Sequence, residues 1–169
     1  MAETGILTEA DRVELIEGEI VEMSPIGSRH AACVNRLNML LGRQAGQSFI
    51  VSVQNPIIVS DYSEPEPDLA VLLWRGDYYE HELPQSADVL LVVEVADTSV
   101  DVDRGVKIPL YARSGIPIMV LVDVPNELIE VHSQPASGQY QSVKIFRRGD
   151  SFQLNALPQL SLGVDAILG

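Results

Sequence analysis

The sequence predicts one α/β domain: a mixed β-sheet with flanking helices and an N-terminal β-hairpin. Three observations carry that expectation. Two short apolar runs flank Glu17-Gly18, residues 30–45 repeat their apolar positions at helical spacing, and the apolar run Val89–Ala96 is followed by a helical stretch and a second apolar run at 118–122. Strand, helix, strand in that order is the form of a parallel crossover unit. The chain of 169 residues suffices for one sizeable core and is short for two, so residues 1–169 are read as a single domain. With 46% hydrophobic and 21% charged residues it falls in the ordered globular range.

Each element has a local reason. Around Glu17-Gly18 a hairpin is expected, because Gly accepts the positive φ of a tight turn. Val34, Leu37, Leu41 and Ala45 lie three and four apart, giving a first helix over 30–45 with Ser28 as N-cap and Gly46 as stop. Strands are expected at Phe49–Val53 and 56–59, broken by Asn55-Pro56, then an acidic, Pro-rich loop at 61–67 and a strand at 68–74. Residues 75–88 show no clear period and read as a surface excursion. The run Val89–Ala96 suits a central strand covered on both faces. A helix follows at 101–113, stopped near Gly115 and Pro117, and the segments 128–131, 140–146 and 152–154 read as an antiparallel meander at the sheet edge.

Composition excludes several classes. No apolar stretch approaches the roughly 20 residues a bilayer span needs. Met-Ala-Glu-Thr-Gly has neither the basic region nor the apolar core of a signal peptide, so the cytoplasm is the expected compartment. A single cysteine, Cys33, permits neither an internal disulfide nor a thiolate metal site. His81 and His132 lack partners at zinc-ligand spacing, and neither a Gly-rich phosphate loop nor a nucleophile-elbow motif is present. The net charge of −13 opposes long-range attraction to nucleic acid, although a divalent metal and a local basic strip can offset it.

Glu94 is the most informative residue. It interrupts an apolar strand and by alternation shares a face with Leu90, Val92 and Ala96. A buried carboxylate must be protonated, hydrogen-bonded, paired or metal-bound, and both an ion pair and a metal ligand meet that need. Asp68 heads its own strand directly after Pro67, which restricts the backbone there. It reads either as a cap or, with Glu94, as half of a carboxylate pair that converges on a hard cation such as Mg²⁺. Asp103, Lys107 and Tyr111 are spaced by four and line one helix face. Lys107 could position a water or offset phosphate charge with Asp103 and Tyr111 orienting it; alternatively Asp103 and Lys107 form an exposed pair of little energetic weight beside a half-buried Tyr111. Gln54 and Glu66 are weaker candidates, read as strand-end and loop residues.

The segments 13–21 (Val-Glu-Leu-Ile-Glu-Gly-Glu-Ile-Val), 66–72 (Glu-Pro-Asp-Leu-Ala-Val-Leu), 93–95 (Val-Glu-Val), 103–107 (Asp-Arg-Gly-Val-Lys) and 110–113 (Leu-Tyr-Ala-Arg), continued by Gly115-Ile116-Pro117 and Leu121-Val122-Asp123, resemble the Uma2 family of bacterial restriction-endonuclease-like proteins, of the PD-(D/E)XK nuclease superfamily. The resemblance covers most of the chain in order. It implies a restriction-endonuclease-like core with Asp68 and Glu94 as metal ligands, the Val95 carbonyl as a further ligand, and Mg²⁺ or Mn²⁺ as cofactor. Ala96 stands where the superfamily motif carries lysine, and the family's lysine is supplied by the following helix, here Lys107. His30 stands where family members often carry His, and either supports the site or touches solvent.

The expected function is therefore a metal-dependent endonuclease hydrolysing DNA phosphodiester bonds through a carboxylate-bound Mg²⁺ and Lys107, with weak cation binding in the millimolar to micromolar range of roughly 10⁻³ to 10⁻⁶ M. DNA is the expected substrate and a homodimer the expected assembly, with no membrane partner. Two alternatives stay open: a non-catalytic binding or dimerisation module of the same fold, and a metal-dependent phosphohydrolase acting on small phosphate esters.

Overall fold

A computed structural model describes residues 12–154 and 157–169. Its centre is a six-stranded mixed sheet in the order β3-β4-β5-β6-β7-β8. These strands are β3 (Phe49–Val53), β4 (Leu69–Leu73), β5 (Val89–Ala96), β6 (Ile118–Asp123), β7 (Leu128–Ala136) and β8 (Gln139–Arg147). The β5–β6 pair is parallel and the other pairs are antiparallel. The helical crossover between β5 and β6 makes that parallel pairing possible, as the strand–helix–strand pattern predicts.

Alternation sorts the core onto two faces. Leu69, Val71, Leu91, Val93, Val95, Val120 and Val122 point to one side. They pack there with Cys33, Val34, Leu37 and Leu41 of α1 (Ser28–Ala45) and with Val164 and Ile167 of α4 (Val164–Leu168). Ala70, Leu72, Val92, Ala96, Met119 and Leu121 point to the other side, against Leu110, Tyr111 and Ile116. Leu90 departs from the expected face. Val71 pairs with Leu91 but Leu72 pairs with Val89, so Leu90 is the extra residue of a bulge, and it packs with the α1 side rather than with Val92.

The N-terminal hairpin forms as predicted, with β1 (Val13–Ile16) antiparallel to β2 (Glu19–Glu22). Glu17 (φ 51°) and Gly18 (φ 86°) both take the positive φ of a type I′ turn.

Four expectations are corrected. Ser28 is not the N-cap: Ala31 N–H bonds the carbonyl of Gly27, which starts α1 one residue earlier than the sequence suggests. Residues 56–59 form no strand. The amides of Ile57 and Val59 go to Pro65 and Ser63 of the following loop and that of Ile58 to Pro84, two different segments on opposite sides, so only isolated bridges form although Ile57 and Val59 are buried. The third segment of the expected meander, β9 (Ser151–Leu154), leaves the main sheet and pairs with β10 (Leu157–Gly163) in a separate two-stranded sheet. The stretch expected as one regular helix over 101–113 comprises α2 (Val100–Val102), a π turn (Asp103–Lys107) and α3 (Ile108–Arg113). Pro109 explains the widening: it has no N–H for the carbonyl of Gly105, and its ring crowds that carbonyl in a regular α-helix. Among the described residues no helix is long and apolar enough to cross a membrane.

Candidate active site

Antiparallel pairing sets Leu69 opposite Val93, so the start of β4 and the end of β5 lie at the same edge of the sheet. Asp68 and Glu94 therefore meet there, together with the N-terminal turn of α1 and the π turn. A cleft of about 300 Å³ opens at this edge, and Asp68, Glu94, Val95, His30, Asp103 and Lys107 all line it. Tyr111 lies fully buried and reaches Glu94 by its hydroxyl.

Asp68 is held by three donors. Its Oδ2 accepts from the Val95 amide at 2.8 Å and lies 2.9 Å from His30 Nε2, while Oδ1 accepts from Gln54 Nε2 at 3.2 Å. Gln54, a weaker candidate in the sequence, is thus a direct partner of Asp68, and Glu66 lines the cleft. The contact Val95 makes here is through its N–H. An Asp68 carboxylate can only accept, so His30 Nε2 carries the proton of that bond. The other ring nitrogen, Nδ1, is buried with no partner among the described residues.

Glu94 Oε1 accepts from the Tyr111 hydroxyl at 2.6 Å and lies 3.2 Å from Lys107 Nζ. The ammonium also lies 3.2 Å from Glu14 Oε2, so it is clamped between a carboxylate of the hairpin and one of the central strand. Only 8% of Lys107 is exposed, which removes the exposed-pair alternative. Asp103 does not pair directly with it: its Oδ2 accepts from the Ser99 hydroxyl at 2.7 Å. The four-residue spacing placed the right residues on one side, but Tyr111 orients Glu94, and Glu14 rather than Asp103 is the close acidic partner of Lys107.

Burial dominates the electrostatics. It pushes the Glu94 carboxyl up to about 8; Lys107 opposes that rise, and Asp68 and Asp103 add to it. Burial alone would lower the Lys107 ammonium, but Glu94, Glu14 and Asp103 outweigh it and hold the amine above its ordinary range. Asp103 and Glu66 are likewise raised, chiefly by desolvation. Seven carboxylates line the cleft (Glu14, Glu22, Glu66, Asp68, Glu94, Asp97, Asp103), against the cations Arg12 and Lys107. Among the described residues no three His, Cys, Asp or Glu side chains converge tightly enough to form a closed metal cage. Two adjacent hard carboxylates in an acidic cleft, one raised by burial, fit a partly hydrated divalent cation rather than a zinc-type site.

Glu14 is the cleft residue the sequence reading did not single out. Val13 and Leu15 look like the inward face of a short strand, which assigns Glu14 to solvent. The observed burial is the reverse, Glu14 and Ile16 being buried and Val13 and Leu15 half-buried. A charge on the same face as Ile16, the signal that singled out Glu94, was present but masked by its apolar neighbours. His132, set aside only as a zinc ligand, bonds Glu130 at 2.9 Å, and Arg104 ties Glu130 to Asp123.

No curated protein matches the chain. Among solved structures it resembles a nuclease of the DUF820 group from Anabaena variabilis ATCC 29413, described as a "putative nuclease", at 16% identity and a TM-score of 0.73, covering 98% of this chain and 94% of that one. At that identity the likeness establishes the fold, a restriction-endonuclease-like α/β architecture. The family model of Uma2, "Putative restriction endonuclease", matches residues 3–165, and with nearly the whole chain covered this protein belongs to that family.

Proposed function

We propose that this protein is a Mg²⁺-dependent endonuclease that hydrolyses DNA phosphodiester bonds in the cleft at the edge of β4 and β5. The observation that carries the reading is the Lys107 ammonium buried between Glu14 and Glu94 in a cleft that Asp68 also lines. Clusters of buried charge cost stability and concentrate where chemistry needs them. Asp68 and Glu94 would hold the cation, with the Val95 carbonyl as a further donor. When bound, Mg²⁺ or Mn²⁺ supplies Lewis acidity and lowers the pKa of water.

The side chains of the chain do the rest. Lys107 donates to the phosphate and offsets its developing charge, Glu14 fixes the ammonium, and Tyr111 fixes the Glu94 carboxylate through Oε1. His30 donates through Nε2 to Asp68 and so orients the carboxylate that would hold the cation. The same reading takes the protein as a cytoplasmic homodimer. A second reading, a phosphohydrolase of small phosphate esters, is favoured by the seven carboxylates of the cleft, which repel a long polyanion more than a small ester.

Calorimetric titration of Mg²⁺ and Mn²⁺ into wild type and Asp68→Ala, beside plasmid nicking in the same buffers, tests this. Endonuclease action is expected to show as cation binding and nicking that both disappear in the variant. The loss of nicking should exceed about 100-fold, beyond the 10- to 100-fold typical of a supporting partner. Binding with aryl-phosphate hydrolysis and no nicking would transfer the assignment to the phosphohydrolase, and absence of binding would sink both.

A further inference from the structure

A second cavity, of about 320 Å³, opens beside the cleft and is lined by Ser28, Cys33, Glu127 and the guanidinium-bearing Arg29, Arg36 and Arg148. Three of the eleven basic residues of a chain with net charge −13 thus meet in one place, with a single carboxylate in the lining. At about 100° per residue, the α1 positions that line this cavity (28, 29, 32, 33, 36) lie on the opposite face of the helix from Gly27 and His30, which line the cleft. The two openings therefore flank the first turn of α1, about one helix diameter, roughly 10–12 Å, apart. Arg29 sits on the saddle between them: Nη1 lies 3.6 Å from Asp97 of the cleft, and Nη2 donates at 3.1 Å to the carbonyl of Val124 in the second cavity.

The present partners of these guanidiniums are replaceable ones. Arg29, 60% exposed along its side chain, holds Asp97 at long range. Arg148, 40% exposed, pairs with the exposed Glu127 and Asp165 and donates to the Gly169 carbonyl. Arg36 donates to the neutral carbonyls of Ile167 and Leu168, and no carboxylate among the described residues pairs with it. Exposed pairs of this kind are weak, and a guanidinium fork matches phosphate oxygens in a two-pronged geometry.

We propose that this cavity holds a backbone phosphate of a nucleic-acid strand that crosses the first turn of α1. This rests on the endonuclease reading, which places the scissile phosphate in the cleft. A span of about 10–12 Å places the second phosphate within a few nucleotides of the first on the same strand. The arrangement also answers how so acidic a molecule grips a polyanion: the cleft is lined by carboxylates, and the grip comes from the Arg-lined cavity beside it.

Fluorescence anisotropy with a labelled single-stranded DNA oligonucleotide in Ca²⁺ buffer, over a salt series, tests the cavity without relying on turnover. Arg29→Gln/Arg148→Gln is the variant, because Arg36 anchors the α4 carbonyls and its removal risks the fold. Arg43→Gln/Arg75→Gln is the control: it removes the same charge elsewhere. The first variant is expected to bind about tenfold more weakly, with a slope of log K against log salt shallower by about 0.7, one single-strand phosphate contact, while the control matches wild type. Equal affinity in the first variant, equal losses in both, or no oligonucleotide binding by wild type overturns the proposal. Nicking assayed in parallel separates the two readings. Arg-dependent binding without nicking in Mg²⁺ keeps the cavity and removes the endonuclease; nicking with Arg-independent binding does the reverse.

Discussion

At the residue scale, the central fact is a carboxylate and an ammonium that share a desolvated space. Glu94, raised to about 8 in the folded chain, lies well above the ordinary Glu value of about 4.3 in the unfolded chain. Between those two values the unfolded chain has released the proton and the folded chain still holds it. Stability from this group is therefore fully present below about pH 4, falls as pH rises, and levels off above about pH 8. Glu94→Gln, a neutral isostere, is expected to flatten that decline and raise the melting temperature at pH 8 relative to wild type while abolishing cation binding. Thermal melts of both proteins across pH 5–9 check it; parallel declines in the two would refute the assignment to Glu94. The stability gained on losing the charge would mark Glu94 as held for function rather than for folding.

At the element scale, the hairpin and the π turn bring the two ends of the Lys107 clamp together. The hairpin docks through the Leu15–Glu64 bridge, the Gly18 N–H to the Tyr62 carbonyl, the Glu17 N–H to Ser63 Oγ, and the Arg113–Glu17 pair. Gly18 at φ 86° is the position where a side chain is least tolerated, since a left-handed residue costs roughly 1–2 kcal/mol outside glycine. Gly18→Ala should lower stability by about that amount, and faster exchange of the β1–β2 amides than of those in β5 should locate the damage in the hairpin. If the hairpin serves only as packing, cation affinity at Asp68 and nicking will stay unchanged in that variant. If it holds Glu14 against Lys107, nicking falls while cation affinity stays. Much of this element was legible in the chain, because Glu17-Gly18 declares its turn. Which face of β1 is buried was not, since four residues of near-alternating polarity support either register until the site is assembled.

At the scale of the whole molecule, net charge −13 makes the folded state self-repelling, and the cleft concentrates that repulsion. Monovalent salt should raise the melting temperature modestly by screening. Mg²⁺ at about 10 mM, with a dissociation constant near 1 mM, should add about 1.4 kcal/mol, or about 4 °C for a domain of this size. Asp68→Ala should keep the response to monovalent salt and lose the increment specific to Mg²⁺. Differential scanning fluorimetry separates the two terms, and an undiminished Mg²⁺ increment in the variant would move the cation away from Asp68.

The sequence by itself determined the α/β class, the hairpin, the first helix, the central buried strand and the parallel crossover, because each is written in a local period or a turn residue that short-range sterics enforce. It also singled out Glu94, a charge inside an apolar run that is visible without coordinates, while Asp68 and Lys107 were singled out beside it by the resemblance to the Uma2 family. Only the tertiary structure decided which charges meet. Glu14 and Lys107 are 93 positions apart and pair because the hairpin and the crossover fold onto the same sheet edge; Gln54 and His30 reach Asp68 for the same reason. The non-strand at 56–59, the departure of β9 from the main sheet and the π turn at Pro109 likewise depend on where backbone donors find partners, and sequence periodicity does not encode that choice.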